Sequence, residues 1–306
     1  MVSEYTLGID GGGSKTDAVI LDPRGTVVGT GLGGASNAHF AGRRATATAF
    51  RRAIRAAIKQ ARIDPAQITR AGCTFGTVAA EVLAELGIPA KPGWFGESAV
   101  AFERAGIDEL RGVALIAGTG SSCFATNGND MHAGAGGWGP LLGDEGSGYS
   151  IGLAGVRRAL LADDGRGLPT ALQESVCSYF DVPRAHGAIG KLCDLKINQS
   201  LLAGFAPEVS KAAHAGDAVA IEVIESAGTA LGELAAFVAA KAFMREDEFP
   251  IVLAGGVFNI GALVIDPIRR ILESRFANAR LVIAEMRPGE AVARLTMGHP
   301  ERRRKR

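Results

Sequence analysis

Two stretches of this chain follow one plan, and that plan limits the folds open to it. "LGIDGGGSKTDAVILD" (Leu7 to Asp22) runs an apolar strand into three glycines, Ser14, Lys15 and Thr16, then a second short apolar run. "VALIAGTGSSCFATNGND" (Val113 to Asp130) runs a strand into "GTGSS" and out again. Ala18 to Leu21 is β-favouring, and "DPRG" places Pro second and Gly fourth, as a turn requires. Asn-Gly in "NGND" is a strong short hairpin signal. Two strand–glycine–strand hairpins, roughly 107 positions apart, predict a duplicated α/β domain with one phosphate loop in each half.

Between these points helix and strand alternate. "ATATAFRRAIRAAIKQARI" sets Phe50, Ile54, Ile58 and Ala61 on one face with arginines opposite. A helix opens after Ser147 in "GYSIGLAGVRRALLAD", and a longer one after Asp217 in "DAVAIEVIESAGTALGELAAFVAAKAF". "FPIVLAGGVFN" (Phe249 to Asn259) reads as a buried strand ending in Gly255-Gly256, where the backbone can approach a flat ligand or a neighbouring helix.

The first loop is neither of the common nucleotide motifs. A Walker loop needs Gly directly before the Lys and a helix straight after; Ser14 holds that place and a strand follows. A dinucleotide fingerprint fits Gly11 and Gly13 and then breaks, since Thr16 and Asp17 follow where the third Gly is needed. A hairpin can still form an anion nest, because consecutive glycines let N–H groups turn inward. Ser14 and Thr16 add hydroxyls and Lys15 adds charge. Asp10, at the strand end, would repel a phosphate unless Mg²⁺ lies between them, held through water. A tight hairpin with an incidental Asp is the plain alternative.

Composition narrows the function. The 306 residues are 47% apolar, enough for one large core or two moderate ones, and 33 basic against 32 acidic residues leave a net charge of +1. No global basic field points to nucleic acid or membrane; the tail "ERRRKR" (301–306) is the one basic run. No apolar run is long enough to span a bilayer, and no signal-peptide pattern precedes the first strand. Cys73, Cys123, Cys177 and Cys193 lack metal-type spacing, and the five histidines are scattered. The expectation is a cytoplasmic enzyme with reduced thiols.

Three motifs in order, "DGGGSKT", then "GTGS" followed by "GGWGPLLGDEGSGYSIG", then "LAGGVFN", give the chain its resemblance. It resembles the sugar-kinase, actin and heat-shock ATPase superfamily, and within it the N-acetylglucosamine kinase and BadF/BadG/BcrA/BcrD ATPase family. The "GGWG…GDEGS" segment is the discriminating one, and the motifs with their linking periodicity span most of the chain. The cysteine-rich zinc motif of the ROK sugar kinases is missing. The resemblance implies an α/β fold of two ribonuclease-H-like (actin-like ATPase) domains with ATP in the cleft between them.

By position, Gly11, Gly12, Gly13, Ser14, Lys15 and Thr16 would form the first phosphate loop, and Gly118, Thr119, Gly120 and Ser121 the second. Asp10 would hold Mg²⁺ through water. Gly255, Gly256 and Asn259 would flank the adenosine. The sugar contacts fall on Asn37 and Asp144, with Gly137 and Trp138 lining the same pocket. Each has a plainer alternative: Asn37 as a helix cap, Asp144 and Glu145 as favourable charges at a helix N-terminus, Trp138 as ordinary core.

The catalytic base is where the chain departs from its relatives. Phosphoryl transfer to a hydroxyl needs a carboxylate near the attacking oxygen. The family places an Asp, usually after Asn, shortly before the second phosphate strand. Here "WFGESAVAFERAG" puts Gly96 and Glu97 at those positions. Glu reaches one methylene further, and a shift of about 1 Å can cost roughly a hundredfold in rate. Three readings stay open: Glu97 as a working base, Glu97 as a poor base in a slow ATPase or sugar sensor, or Glu97 as an exposed acid with Asp144 doing the work.

The domains are expected at residues 1–112 with 288–300, and at 113–287, followed by the basic tail. The function implied is transfer of the ATP γ-phosphate to an amino sugar, N-acetylglucosamine or glucosamine, by an enzyme whose partners are small molecules and, as in many cleft enzymes, a second copy of itself. The alternatives are a sugar- or nucleotide-sensing protein with little turnover and an ATPase activator of a CoA-ester reductase. The last needs cluster-binding cysteines, and only Cys123 lies near a phosphate loop.

Overall fold

A computed structural model describes residues 4–74, 78–129, 131–194 and 199–298; the basic tail lies outside them. Among the described residues ten strands run in chain order: β1 (Tyr5–Gly11), β2 (Thr16–Leu21), β3 (Val27–Gly33), β4 (Ile68–Cys73), β5 (Pro92–Trp94), β6 (Gly112–Ala117), β7 (Ser121–Thr126), β8 (His132–Gly136), β9 (Glu248–Ala254) and β10 (Asn278–Ile283). The helices are α1 (Ala38–Ala61), α2 (Ala79–Glu85), α3 (Glu97–Arg104), α4 (Gly148–Asp163), α5 (Leu172–Phe180), α6 (Ala188–Asp194), α7 (Gln199–Ala203), α8 (Ala206–His214), α9 (Ala218–Ala239), α10 (Ala262–Arg275) and α11 (Pro288–Met297).

The chain divides into two compact units, one of residues up to Glu109 and from Ala284 onward, the other from Leu110 to Ile283. Each contains one five-stranded sheet, ordered β3-β2-β1-β4-β5 in the first and β10-β9-β6-β7-β8 in the second. The orders are the same plan. A first strand pairs antiparallel with the second, and a later strand joins the first in parallel on its other side. The edge strands on that side, β5 and β10, are also parallel to their neighbours, whereas β3 and β8 at the opposite edges are antiparallel to theirs. The repetition seen in the glycine hairpins therefore extends through whole sheets.

In the first unit every residue of β2 is buried, because helices cover both faces. On one face α1 lies directly on β3. Cβ atoms added at Gly29, Gly31 and Gly33 would stand 2.3, 2.0 and 2.1 Å from the carbonyl oxygens of Ala57, Ala53 and Ala49. Alternate glycines on a strand have thus met alanines spaced four apart on a helix, and backbone touches backbone. On the other face α11 packs over Gly8, whose Cβ would fall 2.2 Å from the Ala293 nitrogen. Val19, Leu21 and Ala293 form a small apolar cluster there.

The second unit holds the larger core, drawn from β6, β7, β9 and helices α4, α5, α8, α9 and α10. The helix starts read from sequence are present as capped termini. Ser147 accepts from the Ser150 N–H (3.2 Å) and Asp217 from the Ala220 N–H (2.9 Å).

Candidate active site

In the first unit the candidate residues gather at one edge of the sheet. β1, β4 and β5 are parallel neighbours, so their carboxyl ends lie side by side, the usual ligand edge of such sheets. Asp10 is the last residue but one of β1, Thr74 follows β4, and β5 leads through Phe95 and Gly96 into α3, whose first residue is Glu97. The Phe95 N–H continues the parallel ladder onto the Cys73 carbonyl (3.0 Å), and Trp94 Nε1 donates to the Thr74 carbonyl (2.7 Å). Glu97 is exposed, in the first helical turn and not in a loop.

Asp10 is half-buried, and burial pushes its carboxyl up to about 6, above the usual carboxylate range. Thr74 opposes the shift by hydrogen bonding, and Arg104 and Lys15 by charge. The Thr74 hydroxyl also accepts the Gly11 N–H (2.9 Å). A carboxylate whose ionised form is penalised at the rim of an anion loop is a fitting place for a hydrated divalent cation, which supplies the missing charge. Among the described residues no group of three or more His, Cys, Asp or Glu side chains is placed to hold a metal ion directly.

The first glycine loop is closed by its own backbone. Gly12 N–H donates to the Lys15 carbonyl (2.9 Å), and the Gly12 carbonyl accepts from Ser36 (2.9 Å) and Asn37 (3.1 Å). This corrects part of the expectation. The N–H groups of Gly11 and Gly12 hold the loop and do not face outward. Thr16 is fully buried, its hydroxyl 2.8 Å from both the Gly34 carbonyl and the Ser36 hydroxyl. The tip of the loop is Gly13 to Lys15. Asn37 is tied to the same loop through its backbone.

The second loop repeats this economy. Gly118 N–H donates to Gly120 (2.9 Å), and the carbonyls of Gly118 and Thr119 accept from Gly148 and Tyr149 at the start of α4 (2.8 and 3.2 Å). Ser121 is buried; its N–H goes to Asp144 Oδ1 (3.1 Å) and its hydroxyl to the Glu145 carbonyl (2.8 Å). Here too the flanking donors are engaged, and Thr119 and Gly120 form the tip. A Cβ at Gly118 would meet open space.

Asp144 is not a free sugar ligand. It is buried at 3% exposure, holds a left-handed backbone (φ 63°), and gives its second oxygen to Gln199 Nε2 (3.0 Å). Burial raises its pKa, the Ser121 and Gln199 hydrogen bonds lower it, and Glu145 raises it further. Its carboxylate braces the second glycine loop at Ser121. Trp138 is 72% exposed beside Leu141 and Leu142, at 90% and 77%, so within its unit it is not core. Gly137 donates its N–H to the Ser121 carbonyl (2.8 Å).

Gly255 has a packing reason to be glycine. Its Cβ would lie 2.1 Å from the Ala117 carbonyl at the end of β6, and its φ is 128°. Gly256 and Asn259 are exposed, and a Cβ at Gly256 meets nothing within 4 Å. The glycine pair thus stands at the carboxyl end of β9, next to the end of β6 that leads into the second glycine loop.

Sequence reasoning missed Thr74, Arg104 and Gln199. Thr74 had a signal, a polar residue closing the apolar run of β4. Gln199 had none, since its role depends on a tertiary contact 55 positions away.

The family profile described as the BadF/BadG/BcrA/BcrD ATPase family matches residues 7–290. The chain belongs to that family. N-acetyl-D-glucosamine kinase of Dictyostelium discoideum is 27% identical over 97% of this chain and 99% of its own length. N-acetylmuramic acid/N-acetylglucosamine kinase of Clostridium acetobutylicum is 26% identical over 91% and 94%. A crystal structure from Chromobacterium violaceum, provisionally named an N-acetylglucosamine kinase, superposes with a TM-score of 0.72 at 23% identity, covering 97% of this chain and all of the other. The fold is accordingly the two-domain actin-like ATPase fold, and membership in an ATPase family brings ATP as the nucleotide. Among the described residues no helix is long and apolar enough to cross a membrane.

Proposed function

We propose that this BadF/BadG/BcrA/BcrD family member is an ATP-dependent amino-sugar kinase acting on N-acetylglucosamine or glucosamine. The observation that carries the reading is the repeated corner. In each unit a glycine loop at a strand end closes on itself and leaves a short tip, and in the first unit a burial-strained carboxylate stands at the loop's root. That is equipment for holding a polyphosphate and its cation. The relatives, matched over almost their whole length, supply the acceptor class.

In this reading the tips Gly13–Lys15 and Thr119–Gly120 donate N–H groups to phosphate oxygens. Asp10 would hold Mg²⁺ through water, and the ion would supply positive charge against the phosphoryl oxygens. Glu97 takes the proton from the attacking sugar hydroxyl. Asn37, Gly137 and Trp138 address the sugar, with Trp138 offering an apolar face, and Asp144 fixes the second loop. Gly256 and Asn259 border the adenosine. The free, buried thiols of Cys73 and Cys123 suit a reducing, cytoplasmic setting.

The electron-activator alternative loses ground on Cys123. That residue is fully buried in β7, and burial drives its thiol well above the normal range, whereas a cluster ligand must be a reachable thiolate. The sensor alternative draws on the exposure of Glu97. Coupled ADP release over a panel of sugars decides between kinase and sensor. Sugar-dependent ADP with a phosphorylated sugar product, reduced about a hundredfold or more by Glu97→Gln, supports the kinase. Binding of sugar and nucleotide without a phosphorylated product supports the sensor.

A further inference from the structure

The chain leaves the first unit after Glu109 and returns to it at Ala284. One residue stands at both passages. Arg104, in the last turn of α3, donates from Nε to the Met286 carbonyl (2.8 Å) and from Nη2 to the Ala284 carbonyl (3.2 Å). The Arg104 carbonyl in turn accepts the Met286 N–H (3.2 Å). The outgoing connection begins two residues on, where Gly106 follows the helix in the left-handed region (φ 67°) and the Ile107 N–H bonds back to the Phe102 carbonyl (3.0 Å).

A half-buried guanidinium is an expensive way to fasten two carbonyls. Burial pulls the Arg104 pKa down, and only the charges of Asp10 and Asp17 push it back up. Apolar packing is already available at the spot: Phe95, Val100, Met286, Ala291, Val292 and Leu295 cluster between α3 and α11. An apolar residue would hold α3 there without desolvating a cation. What the guanidinium adds is direction, because its planar fork fixes the helix against two named carbonyls.

Glu97 is the first residue of the same helix. α3 is eight residues long, about two turns, so a rotation at its last turn is carried to its first. We propose that Arg104 is a positioning residue for phosphoryl transfer: it locks the end of α3 to the returning chain at Ala284–Met286 and so sets where Glu97 stands at the carboxyl edge of the β1-β4-β5 sheet. This rests on the reading of Glu97 as base, and it is tested by two independent signals.

The chain has two tryptophans. In a Trp138→Phe background Trp94, three residues before Glu97 and bonded to Thr74, is the sole indole and reports the entrance of α3. Arg104→Ala and Arg104→Lys are compared with Arg294→Ala, which removes an arginine from α11 of the same unit. Trp94 emission and acrylamide quenching are read in this background, kinetics with both tryptophans present. Arg104→Ala is expected to change Trp94 quenching about twofold and lower kcat about tenfold or more, with both KM values within about threefold. Arg104→Lys is expected not to restore kcat, since an ammonium lacks the fork, and it serves as the reading if the alanine variant does not fold. Arg294→Ala should leave both signals in place. Unchanged Trp94 quenching, or full kcat in a protein that merely melts lower, overturns the proposal. If the wild type itself gives no sugar-dependent ADP, the kinase reading has failed, and Trp94 alone decides whether Arg104 orients α3.

Discussion

The carboxylate of Asp17, in β2, accepts the backbone N–H of Gly289 at 3.1 Å, although 272 positions separate them. The same carboxylate pairs with Arg287. A strand near one end of the chain thus caps the helix near the other, satisfying an N–H that α11 cannot satisfy itself. Gly289 has no room for a side chain, since a Cβ would stand 2.7 Å from the Asp17 carbonyl.

Asp17 is therefore predicted to govern the stability of the first unit. Asp17→Ala leaves Arg287 and the helix start without their acceptor and should cost about 2–4 kcal/mol. Asp17→Asn keeps an acceptor and loses the charge, and should cost about half as much. Urea unfolding midpoints measure both. Equal losses for the two variants would show that charge, not capping, holds the helix.

Asp10 carries a pH signature. Its carboxyl is pushed up by burial to about 6, so the folded chain holds this proton more tightly than the unfolded one. Stability from this group consequently falls as pH rises from about 4 to about 6 and stays lower above that. In metal-free protein Asp10→Asn should be more stable than wild type at about pH 7.5, by about 1–2 kcal/mol for a half-buried group, and equal below about pH 4. Mg²⁺ should raise the wild-type melting temperature and leave the variant's unmoved. Mg²⁺-dependent ADP release should be lost in the variant. A variant that responds to Mg²⁺ as the wild type does removes Asp10 from the metal site.

The sheet–helix contact at Gly31 makes a structural prediction with a built-in control. Gly31→Ala would place a Cβ 2.0 Å from the Ala53 carbonyl, whereas a Cβ at Gly34, three residues on, meets nothing within 4 Å. The first should cost about 3 kcal/mol by lifting α1 off β3, and the second should stay within about 0.5 kcal/mol of wild type. Thermal melts of the two variants check the contrast.

What the sequence made legible was local or repeated. The hairpins at Gly11 and Gly118, the Asp22 turn, and the caps at Ser147 and Asp217 each depend on residues within a few positions of one another. Motif order then identified the family. The alternate glycines of β3 carry no meaning by themselves; their meaning needed the alanines of α1 against them. Less legible was which donors face outward. Gly11, Gly12, Thr16 and Ser121 all look like phosphate ligands in a one-dimensional reading, yet their donors are taken by Thr74, Lys15, Gly34 and Asp144. A buried N–H must be paired, and its partner is set by strand order, which a motif does not encode. The same holds for Arg104, whose partners lie 180 and 182 positions away.

The pairing of Gly120 with Asp144 gives the sharpest test of the second loop. A Cβ at Gly120 would lie 2.7 Å from Asp144 Oδ1 and 2.8 Å from Oδ2, so the absence of a side chain at one position and the carboxylate at the other explain each other. Gly120→Ala should displace the carboxylate from the Ser121 N–H, costing about 2 kcal/mol and raising KM for ATP about tenfold. Asp144→Ala should cost about 2–3 kcal/mol by orphaning the same N–H and releasing Gln199. In the double variant the added methyl falls where the carboxylate was, so the two losses should not add. A coupling of about 1–2 kcal/mol in favour of the double variant is expected from a thermodynamic cycle. Simple additivity would mean that the loop and the carboxylate are independent, and Asp144 would then return to the sugar-contact role first read for it.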